Sequence, residues 1–269
     1  MRRGCRVLSW ESFGFGGADE ICILLEIGRS GFSGVGGQQV IKEADEIERT
    51  AMVKTAKHEK TLSQAIKERR ATPSFDGTPI PAEDLRKILE AGLSAPSGYN
   101  MQPWRFIVVQ GEEQKKRLRA ASYNQGKVEE ASAVIVACGD ADGWRKDLDL
   151  MLHRGLEGGM PEGYAAQARS SVPNYLSHFS SDEMHGWLNK MVMISFTHMM
   201  LMAEVMGYDT APMEGFEQDK VHEVLRLPLS YWVVALLGVG HLKGPDKFNG
   251  GRFEMGHTVF GEEFGKPLK

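Results

Sequence analysis

From Trp187 to Met206 the chain carries a helix-length segment with hardly any polar face. Leu188, Met191, Val192, Met193, Ile194, Phe196, Met199, Met200, Leu201, Met202 and Val205 run round the helix rather than along one stripe. A helix that is apolar on nearly every side has to be enclosed by a core, a subunit interface or a membrane. The uninterrupted apolar run is shorter than the roughly 18–20 residues a span needs, and Lys190, His198 and Glu204 break it, so a membrane is excluded. Burial in a large core or between two copies is left, and the methionines suit an adaptable packing surface. Ser180 and Glu183 stand at capping-box spacing and predict where the helix begins, while Gly207 stands where a terminating glycine would.

The segments around it alternate in type without forming regular βαβ units. Pro81–Leu93 opens with proline and acids and places Leu85, Ile88, Leu89, Gly92 and Leu93 on one helical face. A loop, Ser94–Pro103, leads to an apolar strand, Arg105–Gln110; residues 112–122 read as a charged surface helix and Ala131–Asp140 as a second buried strand. Residues 141–179 show no clear period, contain Gly158, Gly159, Pro161 and Pro173, and read as a loop-rich cover. A helix over about 217–226 stops before Pro228, and Tyr231–Gly238 is a third buried strand. Such interspersion predicts an α+β fold rather than a parallel doubly wound one.

Composition differs sharply at the N-terminal end. Residues 1–40 hold nine glycines and no lysine, and residues 42–70 then turn Lys/Glu-rich and helix-prone. Two readings stand for this region: a flexible arm leading into a surface helix, or a stretch preceding a translation start at Met52. No apolar run of signal-peptide length follows Arg2, Arg3 and Arg6, and four acids argue against a transit peptide. Over the whole chain the formal charge is −4, with 42% hydrophobic and 25% charged residues, which suggests neither nucleic-acid binding nor disorder. Three widely spaced cysteines, without a CxxC pair, point to a reducing, cytoplasmic setting rather than to disulfides or zinc.

Familiar cofactor motifs are absent. Gly14-Phe-Gly16-Gly17 has Asp19 where a dinucleotide fingerprint needs glycine, and there is no Walker loop, HExxH or GxSxG. His178, Asp182 and His185 are explained as a helix cap with a polar face, so no metal is expected. Three places carry chemistry instead. Arg69-Arg70 offers two bidentate forks to a phosphate dianion. Ser94–Trp104 packs turn formers with the amides of Asn100 and Gln102 between a helix and a strand, where a flat ligand can approach the backbone. Ala211-Pro-Met-Glu-Gly-Phe216 reads as a glycine-bearing turn between two helices, with N–H groups free to face a ligand. Each, alone, is also an ordinary helix end, connection or turn.

In this order, RRATPSFDG, APSGYNMQPWRFIVV, NQGKVEEASAVIVACGD, APMEGF, YWVVALLGVG and the late GGRF resemble the FMN-dependent nitroreductase family. The resemblance covers about 61–269 and stops upstream, which divides the chain into an appendage (1–60) and an FMN-binding domain (61–269). It implies an α+β sandwich with a mainly antiparallel sheet, and a homodimer with FMN in two clefts built from both subunits. Arg69, Arg70 and Arg252 match the arginines that hold the FMN phosphate and ribityl chain. Pro96, Ser97, Gly98 and Asn100 match the loop that lines the isoalloxazine, with Asn100 at its pyrimidine edge. Pro212, Met213, Glu214 and Gly215 match the turn whose N–H approaches flavin N5, and the long apolar helix matches the centre of the dimer interface. Three positions depart from the pattern: Ala71 and Gly98 stand where serines are common, and Gly250 where a basic residue is, with Lys247 as a substitute.

The resemblance implies ping-pong hydride transfer from NADH or NADPH through flavin N5 to an electron-poor acceptor such as a nitroaromatic or a quinone. No side-chain acid or base is required, so no catalytic residue is nominated, and residues 141–179 are expected to set acceptor choice. Dehydrogenation, reductive dehalogenation or flavin binding without turnover are the alternatives on the same fold.

Overall fold

The computed structural model describes residues 60–244 and 248–268. The arm, the Met52 alternative and Lys247 lie outside the described residues. Helices and strands follow in the order α1 (Leu62–Glu68), α2 (Ala82–Leu93), β1 (Trp104–Val109), α3 (Glu112–Ala120), α4 (Gly126–Glu130), β2 (Ala133–Asp140), α5 (Gly143–Lys146), α6 (Leu148–Glu157), α7 (Glu162–Leu176), α8 (Ser181–Val205), β3 (Asp209–Met213), α9 (Gln218–Leu225), β4 (Tyr231–Gly240) and α10 (Met255–Thr258).

The four strands form one antiparallel sheet in the order β1-β2-β4-β3. Strand β2 is buried along its whole length, and its period of two divides it between two cores. Ala133, Ile135 and Ala137 face a layer with α2 and α8, whereas Val134, Val136 and Cys138 face Phe75, Leu118, Val128 and Val221. Between β2 and β4 the register shifts: Ala137 pairs with Ala235 but Cys138 with Val233, so Val234 is an extra residue in β4. The result is an α+β sandwich.

Helix α8 begins as its sequence predicts. The Ser180 hydroxyl accepts from the Glu183 N–H, and the Glu183 carboxylate accepts from the Ser180 N–H at 2.8 Å. Its inner face, with Val192, Phe196, Met199 and Ala203, lies fully buried against α2 and the sheet. Each of the larger side chains there contributes roughly 1.5–3 kcal/mol relative to exposure. The Ser195 hydroxyl donates to the Gly92 carbonyl at 2.7 Å and ties α8 to α2. Gly139 lets β2 meet α8, because a Cβ there would lie 2.8 Å from Leu188 Cβ. Met193, Ile194, Met200 and Leu201, on the other sides of the helix, are only half-buried.

Two expectations are corrected. Ala211-Pro-Met is not part of a turn between helices but the end of edge strand β3, with Pro212 opposite Leu237. An edge position tolerates the N–H that proline lacks. Residues 141–179 are mostly helical: the glycines and Pro161 only punctuate α6 and α7, with Gly158 capping the first and Pro161 preceding the second. Pro173 sits inside α7, where it forgoes one helical bond. These helices enclose a third core, with Trp144, Leu152, Val172 and Leu176 packed against Met101, Trp187 and Leu188.

Candidate functional site

Helix α1 delivers the arginine pair. Its capping box joins Thr61 and Gln64, and it ends at Arg69, whose N–H donates to Ala65 at 2.9 Å. The chain then extends along the sheet: Ala71 bridges Thr210 in parallel, and the Thr72 N–H donates to Thr210 O at 2.9 Å. This lays Arg69–Ala71 beside β3. Arg70 Nη1 donates to the carbonyls of Lys67 (2.7 Å) and Arg69 (2.8 Å), while its Nε is buried without a partner. Arg69 Nη1 is buried without a partner as well.

The electrostatics identify a third member. Burial pulls the Arg69 guanidinium below its ordinary pKa, and the positive charges of Arg252 and Arg70 pull it further, against the opposing influence of Glu204. Glu204 is itself buried and takes Lys60 at 2.7 Å. The charge of Arg252 thus acts on an arginine pair in which Arg69 Nη1 and Arg70 Nε are buried and unused. A planar, permanently charged group in that state calls for an anion with several acceptor oxygens. A phosphate monoester fits.

The loop after α2 is held in an unusual backbone shape. Tyr99 (φ 55°), Asn100 (φ 56°) and Gln102 (φ 46°) are all left-handed, which non-glycine residues seldom adopt and which clusters at binding sites. The Gln102 N–H donates to Ser97 Oγ at 2.9 Å, and the Gln102 amide reaches Asn100 O and Oδ1 at 3.3 and 3.4 Å. Gly98 N–H donates to Met191 Sδ on α8 at 3.0 Å. Pro96 and Asn100 are exposed. One hydrogen bond of this loop, from Gly98, reaches α8, whereas Thr72 ties the arginine segment to β3.

After β3, Glu214 is exposed and Gly215 half-buried, directly ahead of α9. Pro212 and Met213 belong to the strand, so the turn proper is shorter than the sequence suggests. Because Ala71 and Thr72 pair with Thr210, the arginine pair and this turn flank the same edge strand. Arg252 joins them through its charge. The motif that starts at Asn124-Gln125 was given no role by the sequence, yet Tyr123–Gln125 packs against the turn: Gln125 Nε2 donates to Gly215 O at 2.7 Å. Tyr123 (φ 50°) and Asn124 (φ 56°) are both left-handed there. An Asn followed by Gln-Gly was the available signal, since Asn tolerates that conformation.

Known proteins agree with this architecture. The nitroreductase family matches residues 66–241, which is more than half of the chain. The chain belongs to the nitroreductase family. Among nitroreductase relatives, a Thermus thermophilus protein named NADH dehydrogenase is 33% identical over 177 residues, covering 66% of this chain and 84% of its own. A Staphylococcus epidermidis protein named as an NAD(P)H nitroreductase is 31% identical over 176 residues, 61% of this chain and 78% of its own. A nitroreductase from Exiguobacterium sibiricum, solved in complex with FMN, superposes with a TM-score of 0.69 at 26% identity, covering 77% of this chain and 99% of that one. Among the described residues no helix is long and apolar enough to cross a membrane.

Proposed function

We propose that this chain is an FMN-dependent oxidoreductase that oxidises NADH or NADPH and reduces electron-poor acceptors such as nitroaromatics or quinones. The observation that carries the reading is the pair of buried, unpartnered donors on Arg69 and Arg70, in a cluster completed by Arg252. Homology supports it, because the Exiguobacterium neighbour was solved with FMN and relatives carry NAD(P)H in their names. When bound, FMN supplies hydride acceptance at N5 and two-electron donation to a second substrate.

The protein's part is to hold and orient. Arg69, Arg70 and Arg252 would grip the phosphate, and Ala71, which contributes no hydroxyl, lets Thr72 anchor to the strand. Pro96, Ser97, Gly98 and Asn100 would line the ring system; Pro212 and Met213, in the strand, would carry the turn, and Glu214 and Gly215 would present backbone N–H groups toward N5. A fixed N–H near that atom stabilises the charge that accumulates there.

The two halves of this site hang on different supports, and α8 leaves Met193, Ile194, Met200 and Leu201 half-buried. Phe248, Phe253 and Phe264 of the C-terminal segment are 85%, 76% and 92% exposed. These faces support a homodimer that closes the cleft. The helical segment 143–176 is then the element that sets acceptor choice. A reducing, cytoplasmic setting accords with the free, buried Cys138.

Steady-state kinetics with NADH and NADPH against quinone and nitro acceptors test the reading. Parallel double-reciprocal lines are expected from one cleft used alternately. Intersecting lines, or no turnover of any acceptor by flavin-loaded protein, would contradict it.

A further inference from the structure

The turn assigned to flavin N5 does not hold its own shape. Its backing comes from the connection between α3 and α4. There Tyr123 and Asn124 both take left-handed φ values, and the reversal brings Gln125 to the N-cap position of α4. Its side chain makes no capping bond to that helix. Its amide instead donates to Gly215 O at 2.7 Å and to Ser122 O at 3.2 Å. A second tie lies next to it, the Glu217 N–H donating to Ala121 O at 2.9 Å. The approach is close: a Cβ at position 215 would lie 3.3 Å from Gln125 Nε2, so that the amide would have to give way by a few tenths of an ångström, and 3.5 Å from Tyr123 Cδ2, an ordinary contact. Among the described residues the Gly215 N–H itself donates to no protein acceptor.

We infer that Gln125 is a positioning residue: by holding the Gly215 carbonyl from behind, it fixes the turn so that the Gly215 N–H is presented to the flavin. The inference rests on the functional reading above. The anchored carbonyl fixes the 215–216 peptide plane and so limits rotation about ψ of Gly215; with the Glu217–Ala121 bond it narrows the conformations of the turn, and with them the directions open to the Gly215 N–H, before cofactor arrives. Preorganisation of that kind is what gives a backbone donor its electrostatic effect. Gln125 touches neither the ring nor the substrate in this role; it acts through the turn.

Two variants test it, Gln125→Ala and Gln125→Glu, the second keeping size while losing the donor. In FMN-free protein, amide exchange at Glu217, whose N–H is bonded to Ala121 O beside the tie, should accelerate about tenfold, as expected when one neighbouring hydrogen bond is lost. In flavin-loaded protein the FMN midpoint potential should shift negative while the FMN dissociation constant stays within about threefold of wild type, since the phosphate grip is elsewhere. Unchanged exchange in both variants would overturn the tie. Faster exchange with an unchanged potential would overturn its connection to the flavin, and so would a drop in melting temperature with the same potential. Failure of the wild-type chain to take up FMN would overturn the functional reading, and the exchange difference in FMN-free protein would still report on the tie.

Discussion

Arg69 and Arg252, one at the end of α1 and the other close to the C-terminus, stand near enough that the charge of Arg252 disfavours the charged form of Arg69. Folding brings together two like charges that would separate in an extended chain. Such an arrangement is costly on its own and favourable round an anion.

Arg69→Ala should therefore weaken FMN binding about tenfold to a hundredfold, the usual worth of a charge-assisted contact at a partly buried site. Arg252→Ala should have a smaller effect, because its side chain is exposed and screened. Fluorescence titration of flavin-free protein measures both, and the effect of each should shrink as salt is raised.

Helix α8 should lose its N-terminal lock in acid. The Ser180 N–H and hydroxyl hold the Glu183 carboxyl below its ordinary pKa. A carboxyl depressed in the folded state adds stability that is complete above its unfolded value and vanishes as pH falls through the folded one. Ser180→Ala should cost about 1 kcal/mol at neutral pH. The difference from wild type should narrow as the pH of a denaturation series drops below about 4.3, the ordinary glutamate value.

Cys138 should be inert while the protein is folded. Burial in the core pushes its thiol up to about 12, so almost no thiolate exists at neutral pH. A disulfide reagent should label it only after denaturant is added, and labelling of native protein at a free-thiol rate would contradict this placement.

Gly139→Ala should destabilise by roughly 1–3 kcal/mol through overpacking. The added methyl would meet Leu188 Cβ, an atom that cannot move without its helix. Urea denaturation gives the value directly.

Much of this was readable before any coordinates. Ser180, Glu183 and Gly207 bounded α8 because capping is local chemistry, written within four residues of the helix end. Cys138 and its neighbours declared a buried strand by their unbroken apolar run. Edge strand β3 was illegible because it is short and contains Pro212, a residue that ordinarily signals a turn. Helix α7 was illegible because Pro173 lies inside it and because its buried residues, Ala165, Ala168, Val172 and Leu176, are mostly small. Of the proposed site, Arg69, Arg70 and the Gly98–Asn100 loop stand out in the sequence by their motifs. Gln125 lies in a motif too, but its contact with Gly215 O at 2.7 Å is visible only once the fold brings two segments ninety residues apart together.

Arg69, Arg70 and Arg252 are proposed to grip a phosphate carried by a flavin. The most direct measurement compares FMN with riboflavin, which lacks the phosphate, in titrations of the flavin-free chain. FMN should bind at least about a hundredfold more tightly, with Arg69→Ala removing most of that preference. Equal affinity for the two flavins, or no affinity for either, would contradict the account.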